Sequence, residues 1–358
     1  MGHRYIGSKT KILDAVLEKI KEIAPARGRV VDLMSGTASV SSALRSAGFK
    51  VIAVDVMTYP YHHARVALFL KEAPNFLEAS DFIKKYAPSF SDGQNNYCRI
   101  LEALNLVPER EGYFWKEFSA EGSPKGASKS RNYFSPYNAR KIDAIRFWIN
   151  TLHTKKKINN IEHSLLLHDL IMAANDVANI SGTYGHYLFK LTGRALDPIK
   201  LKPTVFNVTY NESGHEVLRG YAEDLSKNIS CELCYIDPPY MKRQYAANYH
   251  ILETLAREDS PEAAGESGLR PWREQYSNFC TKTKIRQSFE KIFTSMDCPD
   301  FLISYSEDGL LKLNELSELF SKFGAVKVTK LQNKRFRSNK SSLSTKLTEY
   351  LVHLRVKR

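Results

Sequence analysis

The spacing of apolar residues changes from one stretch of the chain to the next, and each spacing predicts an element. "RVVDLMSG" (29–36) is a short apolar run that ends at Asp32 and a small-residue turn, as a buried strand would. "TASVSSALRSAG" follows with helical spacing and Gly48 as its stop, and "KVIAVDV" is a second apolar run ending in Asp55. Together they form a strand-helix-strand unit with an acid at the end of each strand. Strand character returns in "HEVLRG", "CELCYID" and "DFLISYS". "DGLLKLNELSELFSKFG" has helical spacing with Gly324 as its stop, while "AVKVTKLQ" and "EYLVHLRV" alternate as a closing antiparallel pair would. Strands alternate with helices here, so an α/β core with a mostly parallel, Rossmann-like sheet is expected.

From about 60 to 205 the pattern is different. "NYFSPYNARKIDAIRFWIN" and "IEHSLLLHDLIMAANDVAN" read as helices on either side of Lys155, Lys156 and Lys157, and "EGSPKGASKSRN" reads as a polar loop. The expected division is a core built from 1–59 and 206–358, with a mostly helical insertion over 60–205. "REDSPEAAGESG" (257–268) reads as a mobile loop.

Composition narrows the classes. No run is long and apolar enough to span a bilayer, and the N-terminal residues lack the apolar segment of a signal peptide, so a soluble cytoplasmic protein without a membrane partner is expected. Five cysteines fit a reducing compartment, and the CxxC of Cys231 and Cys234 has no second pair. Histidines are scattered, with His163 and His168 off the spacing that puts two ligands on one helical face; no metal is expected. Net charge is +13, from 52 Lys and Arg against 39 Asp and Glu. Nine bases fall within 121–157 (Lys125, Lys129, Arg131, Arg140, Lys141, Arg146, Lys155, Lys156, Lys157) against Glu121 and Asp143, which reads as a segment facing a polyanion or as a solvated basic face. Charge alone fits DNA, RNA or an anionic membrane.

Three motifs carry chemistry. "GHRYIGSKT" approaches a phosphate-binding loop, but Ser8 intrudes between Gly7 and Lys9; backbone amides, Lys9 and Tyr5 remain to grip a small anionic group. "DLMSGTAS" has one glycine where a dinucleotide fingerprint has three. Two acids at strand ends, Asp32 and Asp55, disfavour a pyrophosphate and suit a ligand carrying an ammonium and a ribose, such as S-adenosylmethionine with its sulfonium cation. The third motif is "IDPPY". Asp237 and the Pro238 carbonyl can each accept a hydrogen bond from an exocyclic amine, and Pro239 and Tyr240 add a flat apolar wall. Two acceptors on the two hydrogens hold such an amine near tetrahedral geometry with its lone pair aimed at an electrophilic methyl, which is preorganisation. Tyr240 would stack on a base taken out of a duplex. The plain alternative is a rigid turn between strand and loop.

These motifs, in this order, resemble the Dam-like DNA adenine-N6 methyltransferases that place the cofactor motifs before "DPPY", over nearly the whole length. "RYIGSKTKIL" is similar to that family's N-terminal cofactor motif, which implies cofactor contacts at Tyr5, Gly7, Ser8 and Lys9. "DLMSGTAS" and "VIAVDV" resemble the next two, implying Asp32 and Gly36 near the methionine part and Asp55 on the ribose. "IDPPY" with "RQYAANYHILET" resembles the catalytic strand and following loop, implying Asp237, Pro238, Pro239 and Tyr240 as catalytic, with Asp237 also at the cofactor. "KRFRSNKSSLSTKLTEYLVHL" is similar to a late core strand with a basic loop lying against DNA. The chain departs from the family after its third strand, where "RGYAED" has Tyr221 in the usual acidic place and Asp224 three residues later as the candidate cofactor contact.

The resulting expectation is an S-adenosylmethionine-dependent transferase acting on the N6 amine of adenine in double-stranded DNA at a short specific site. A restriction endonuclease is its natural partner, and Arg243, Tyr245, Tyr249, Arg335 and Arg337 are candidate DNA contacts, each with a rival role in packing or solvation. RNA adenine as the substrate, or a DNA-binding protein that keeps the fold without turnover, are the alternatives. If basic segments neutralise phosphates, affinity for duplex DNA must fall as salt rises; a binding titration between about 50 and 200 mM salt should lose orders of magnitude, and a flat response would count against phosphate contacts.

Overall fold

The computed structural model describes residues 12–88, 95–206, 213–334 and 346–357. Helix α1 (Leu13–Ile23) buries Val16 and Ile20, four apart on one helical face. β1 (Arg29–Asp32), α2 (Ser39–Ser46) and β2 (Lys50–Asp55) are the strand-helix-strand unit read from the sequence, and α3 (Thr58–Phe69) follows. Next come α4 (Ser80–Tyr86), α5 (Asn96–Leu106), α6 (Tyr113–Phe118), α7 (Pro136–Thr154) and α8 (Asn160–Val177). The start of α7 is set by Ser135 capping its first turn ahead of Pro136, and that of α8 by a reciprocal pair of bonds between Asn159 and Glu162. The chain then forms β3 (Glu216–Arg219), α9 (Ala222–Leu225), β4 (Leu233–Ile236), α10 (Tyr245–Asn248) and α11 (His250–Arg257). It closes with α12 (Ile285–Ser295), β5 (Asp300–Ser306), α13 (Leu313–Ser321), β6 (Gly324–Lys334) and β7 (Lys346–Val356).

Seven strands make one sheet in the order β3-β2-β1-β4-β5-β7-β6. The first five are parallel, and β7 runs antiparallel between β5 and β6. Alternation along each strand sends side chains to two layers. Val31, Ile52 and Cys234 pack with Phe289, Phe293 and Phe320 on one face, while Val30, Val51 and Leu233 pack with Val16, Ile20 and Leu44 on the other. Apolar cover on both faces is why these strands read as unbroken apolar runs. Cys231 and Cys234 are free and buried, and the neighbouring Cys298 thiol, with burial second, pushes the Cys231 thiol far up, out of reach of ordinary ionisation.

The chain divides into two compact units. Gly7–Leu68, Val208–Tyr245 and Gln275–Arg358 form the unit that contains the sheet; Phe69–Asn207 and Ala246–Glu274 form a helical unit. The helical unit thus takes in α11 and the residues after it, beyond the 60–205 span of the expected insertion, and residues 60–68 fall with the sheet.

Two expectations need correction inside the helical unit. The segment 257–268 is fastened rather than loose. Arg131, with 0% of its surface exposed, pairs with Glu117 at 2.7 Å and donates to the carbonyls of Ala263 (3.1 Å) and Gly265 (2.9 Å). Arg270 grips Asp259 through two bonds of 3.0 and 2.7 Å, and Ala264 and Leu269 exchange backbone bonds of 2.8 Å. The basic segment 121–157 is also less basic at its surface than its composition implies. Besides Arg131, Lys141 is buried on the carbonyls of Asn105 and Val107, Arg146 donates to the Asp259 carbonyl at 2.7 Å, and Arg140 lies among Glu109, Glu111 and Glu121. Lys125, Lys129, Lys155, Lys156 and Lys157 are exposed and free to face a polyanion.

Replacing Arg131 by Ala strands the Glu117 carboxylate and two carbonyls in the interior, a loss of about 3–5 kcal/mol, whereas Lys155→Ala should stay within about 0.5 kcal/mol. Urea unfolding of the two variants checks this; equal midpoints would show that the Arg131 clamp does not hold the unit.

Candidate active site

In a doubly wound sheet the ligand crevice lies beyond the carboxyl ends of the strands, where the winding reverses. Here the reversal is at β1, which has β2 on one side and β4 on the other. The Leu33 amide continues β1 by bonding the Tyr235 carbonyl at 3.0 Å, and the Ser35 amide bonds the Val54 carbonyl at 3.0 Å, so the turn after β1 is fixed to both neighbours. Gly36 has φ +49°, a backbone state that glycine adopts without strain. Its amide donates to Asp55 Oδ2 at 3.0 Å, and Met57 donates to Asp55 Oδ1 at 2.9 Å. One carboxylate thereby ties the turn after β1 to the turn after β2.

Asp32 ends β1 and is only 2% exposed. It accepts the Ser41 hydroxyl at 2.6 Å, anchoring the first turn of α2. Burial pushes its carboxyl up to about 7, against the lowering effect of the Ser41 bond and with reinforcement from the charges of Asp237 and Asp55. Three acids from the ends of β1, β2 and β4 therefore share one field, which favours a cationic ligand over an anionic one.

Asp237 follows β4 directly, half-buried, and Pro238 is buried. Among the described residues no hydrogen bond occupies the Pro238 carbonyl, while the Tyr240 carbonyl takes the Leu310 amide at 3.0 Å. The Tyr240 ring lies 5.7 Å from that of Tyr305, whose hydroxyl accepts the Leu311 amide at 3.2 Å. A Cβ on Gly309 would stand 2.1 Å from the Tyr305 ring, so this support has room for nothing larger than glycine. On the other side, the Gln244 side chain exchanges two bonds with the Ser277 backbone, at 3.0 and 2.8 Å, and the Cys280 thiol donates to the Arg243 carbonyl at 3.3 Å. Gln275 donates to the Val56 carbonyl at 3.2 Å, so the 275–280 strap touches both the exit of β4 and the residue next to Asp55.

The structure brings Asp32, Gly36, Asp55, Asp237, Pro238, Pro239 and Tyr240 to one end of the sheet. Tyr5, Gly7, Ser8, Lys9, Arg335 and Arg337 lie outside the described residues. Asp224, in α9, is exposed and pairs with Lys291 at 2.7 Å. Arg243 is exposed and Tyr245 half-buried, but Tyr249 is fully buried, so its packing role replaces the DNA contact considered for it. His250 is buried on the Tyr184 carbonyl, and desolvation pushes it down to about 3, leaving it neutral. Ser41, Gln244, Gln275, Ser277 and Tyr305 are absent from the sequence reading. Gln244, Gln275, Ser277 and Tyr305 act on partners far along the chain, which nothing in their local sequence marks, and Ser41 acts across a turn on a strand end.

This sheet order, with its β4 exit into Asp-Pro-Pro-Tyr beside two further acids, defines the Rossmann-like methyltransferase class. Residues 5–333 match the D12 class N6 adenine-specific DNA methyltransferase model, and the chain belongs to that family. It is a DNA adenine methyltransferase. It is 31% identical over 340 residues to Type II methyltransferase M.NlaIII of Neisseria lactamica, covering 94% of this chain and 93% of that protein. Identity to Type II methyltransferase M.FokI of Planomicrobium okeanokoites is 31% over 357 residues, and to M.CviAII of Paramecium bursaria Chlorella virus 1 it is 30% over 351. The chain spans 96% of M.CviAII but only 52% of M.FokI.

Because Asp32 holds its proton to about pH 7 in the folded state and releases it near pH 4 once unfolded, its contribution to stability falls as pH rises through that window. Asp32→Asn should flatten the profile by up to one proton. Urea midpoints from about pH 4.5 to 7.5 check this, and an unchanged slope would show that Asp32 titrates normally.

Proposed function

We propose that the enzyme transfers a methyl group from S-adenosylmethionine to the N6 amine of adenine in duplex DNA, at one short site, as the modification half of a restriction-modification system. The observation that carries this reading is Asp237 followed by a Pro238 carbonyl with no hydrogen bond among the described residues, at the switch point beside Asp32 and Asp55. The residue set fits the cofactor: acids for an ammonium, and in Asp55, which the Gly36 and Met57 amides hold in place, a carboxylate at the end of the second strand for ribose hydroxyls. When bound, the cofactor supplies an electrophilic methyl on a sulfonium. Tyr5, Gly7, Ser8 and Lys9 complete its contacts in this reading.

The residues of this chain do the positioning. Asp237 and the Pro238 carbonyl accept the two hydrogens of the amine, Tyr240 stacks on the adenine, and the rigid supports from Tyr305 and Gln244 keep these groups in register. The proton shed by the methylated amine goes to Asp237 or water. Arg243, Tyr245, Arg335 and Arg337 bind DNA, and the insertion over 60–205 reads the bases. The "Type II methyltransferase" and "Modification methylase" names of relatives support a cognate restriction endonuclease as partner.

Purified protein incubated with S-adenosylmethionine and random-sequence duplex DNA, then read by single-molecule sequencing, should show methyladenine confined to one motif. Asp237→Ala should lower the rate at least about a hundredfold, since loss of one such preorganised group costs that much. Methylation of an RNA pool in place of DNA, or an unaffected variant, would overturn the proposal.

A further inference from the structure

Glu258 combines two features that oppose folding. It follows α11 at φ +52°, the left-handed state in which helices commonly end and which glycine usually takes. Its side chain is only 10% exposed. Oε2 accepts His163 Nε2 at 2.8 Å, and the His163 ring is stacked on that of His153 at 3.9 Å, so the carboxylate is fixed from one side. Oε1 is buried and has no hydrogen bond among the described residues. Leaving a carboxylate oxygen buried and unpaired is costly, and a strained backbone state beside it adds to the cost. Such features cluster where a ligand completes the structure.

Glu258 lines a cleft of about 250 Å³ within the helical unit, together with Arg110, Tyr113, Asp143, Arg146 and Phe147. The second acid and the inner base are already engaged. Asp143 accepts the Phe114 and Trp115 amides at 2.9 and 2.8 Å, and Arg146 donates to the Asp259 carbonyl at 2.7 Å and to the Ser260 hydroxyl at 3.1 Å. Arg110 is exposed, its guanidinium 4.2 Å from the centre of the Phe147 ring. The cleft therefore offers a buried acceptor in Glu258, an exposed cation in Arg110, and apolar walls in Tyr113 and Phe147. Its two acids and two bases balance. A simple cation would meet the arginines and a simple anion the acids, whereas a molecule carrying both charges answers each. The volume falls below the about 300–1,000 Å³ of pockets for drug-sized ligands, which limits the occupant to the size of an amino acid. We propose that this cleft binds a free α-amino acid, with its ammonium on Glu258 Oε1 and its carboxylate on Arg110. None of Asp32, Asp55, Asp237 or Tyr240 takes part, so the site is separate from the residues of methyl transfer.

The test titrates the full-length protein with each common L-α-amino acid in turn, up to about 10 mM, by calorimetry. At least one should bind saturably, one to one. For that amino acid, the N-acetyl derivative, which lacks the ammonium, and the α-amide, which lacks the carboxylate, should both bind more weakly than the parent. Glu258→Gln puts an amide where the free acceptor stood while keeping an oxygen for His163, and should weaken binding roughly tenfold to a hundredfold, the loss of a bond to a charged group. Arg110→Ala removes an exposed side chain, so the fold is kept, and affinity should fall about twofold to fivefold. Methylation measured without added amino acid should be unchanged in both variants, since neither residue belongs to the methyl-transfer site. Absence of binding by every amino acid would overturn the proposal. Binding that survives both substitutions would overturn it as well, by placing the amino acid elsewhere on the protein. Equal affinity for the N-acetyl derivative would overturn the assignment of the ammonium to Glu258, and with it the proposal.

Discussion

The parallel pairing of β1 with β4 is the constraint on which the site depends. Val30 and Leu233 lie side by side although residues 69–207 of the helical unit come between them in the chain. Their pairing brings Asp32 and Asp237 to one edge, and β2 on the other flank adds Asp55. Three acids so close would repel one another in a loop. Here they are held by strands buried on both faces, and Asp32 keeps its proton to about pH 7 chiefly because it is buried, with the charges of Asp237 and Asp55 adding to the shift. A ligand with positive charge would relieve that field, as the ammonium and sulfonium of the proposed cofactor would.

Rigidity around the exit of β4 is supplied by neutral groups. Gln244, Ser277, Tyr305 and the Leu310 amide hold the segment after Asp237 without adding charge to a field that is already negative. For a reaction that needs an amine held between two acceptors, fixed backbone has more value than an added base. The strap at 275–280 bonds both to this segment and to the Val56 carbonyl, which links the exit of β4 to the exit of β2.

The helical unit uses charge in the opposite way. Arg131, Lys141, Arg146 and Arg140 are occupied with carbonyls and glutamates inside or along their own unit. They organise the loop at 257–268 and the turns around α6 and α7, leaving the exposed lysines to carry the field outward. A positive segment in sequence is therefore a mixture of two populations, and burial separates them.

What the sequence determined by itself is local. Alternating and helical spacings placed β1, α2, β2, β4, β5 and α13 near their true positions, and the acids at strand ends stood out because short apolar runs stop at them. The Asp-Pro-Pro-Tyr exit was legible because four adjacent residues carry its chemistry. Tertiary structure alone decided that Arg131 is a clamp, that Tyr249 is core, that the 257–268 loop is fastened and that Gln244 and Gln275 brace the site. Each of those facts is a contact between residues distant in the chain, and periodicity records which way a side chain points relative to its own element, not what another element will place opposite it.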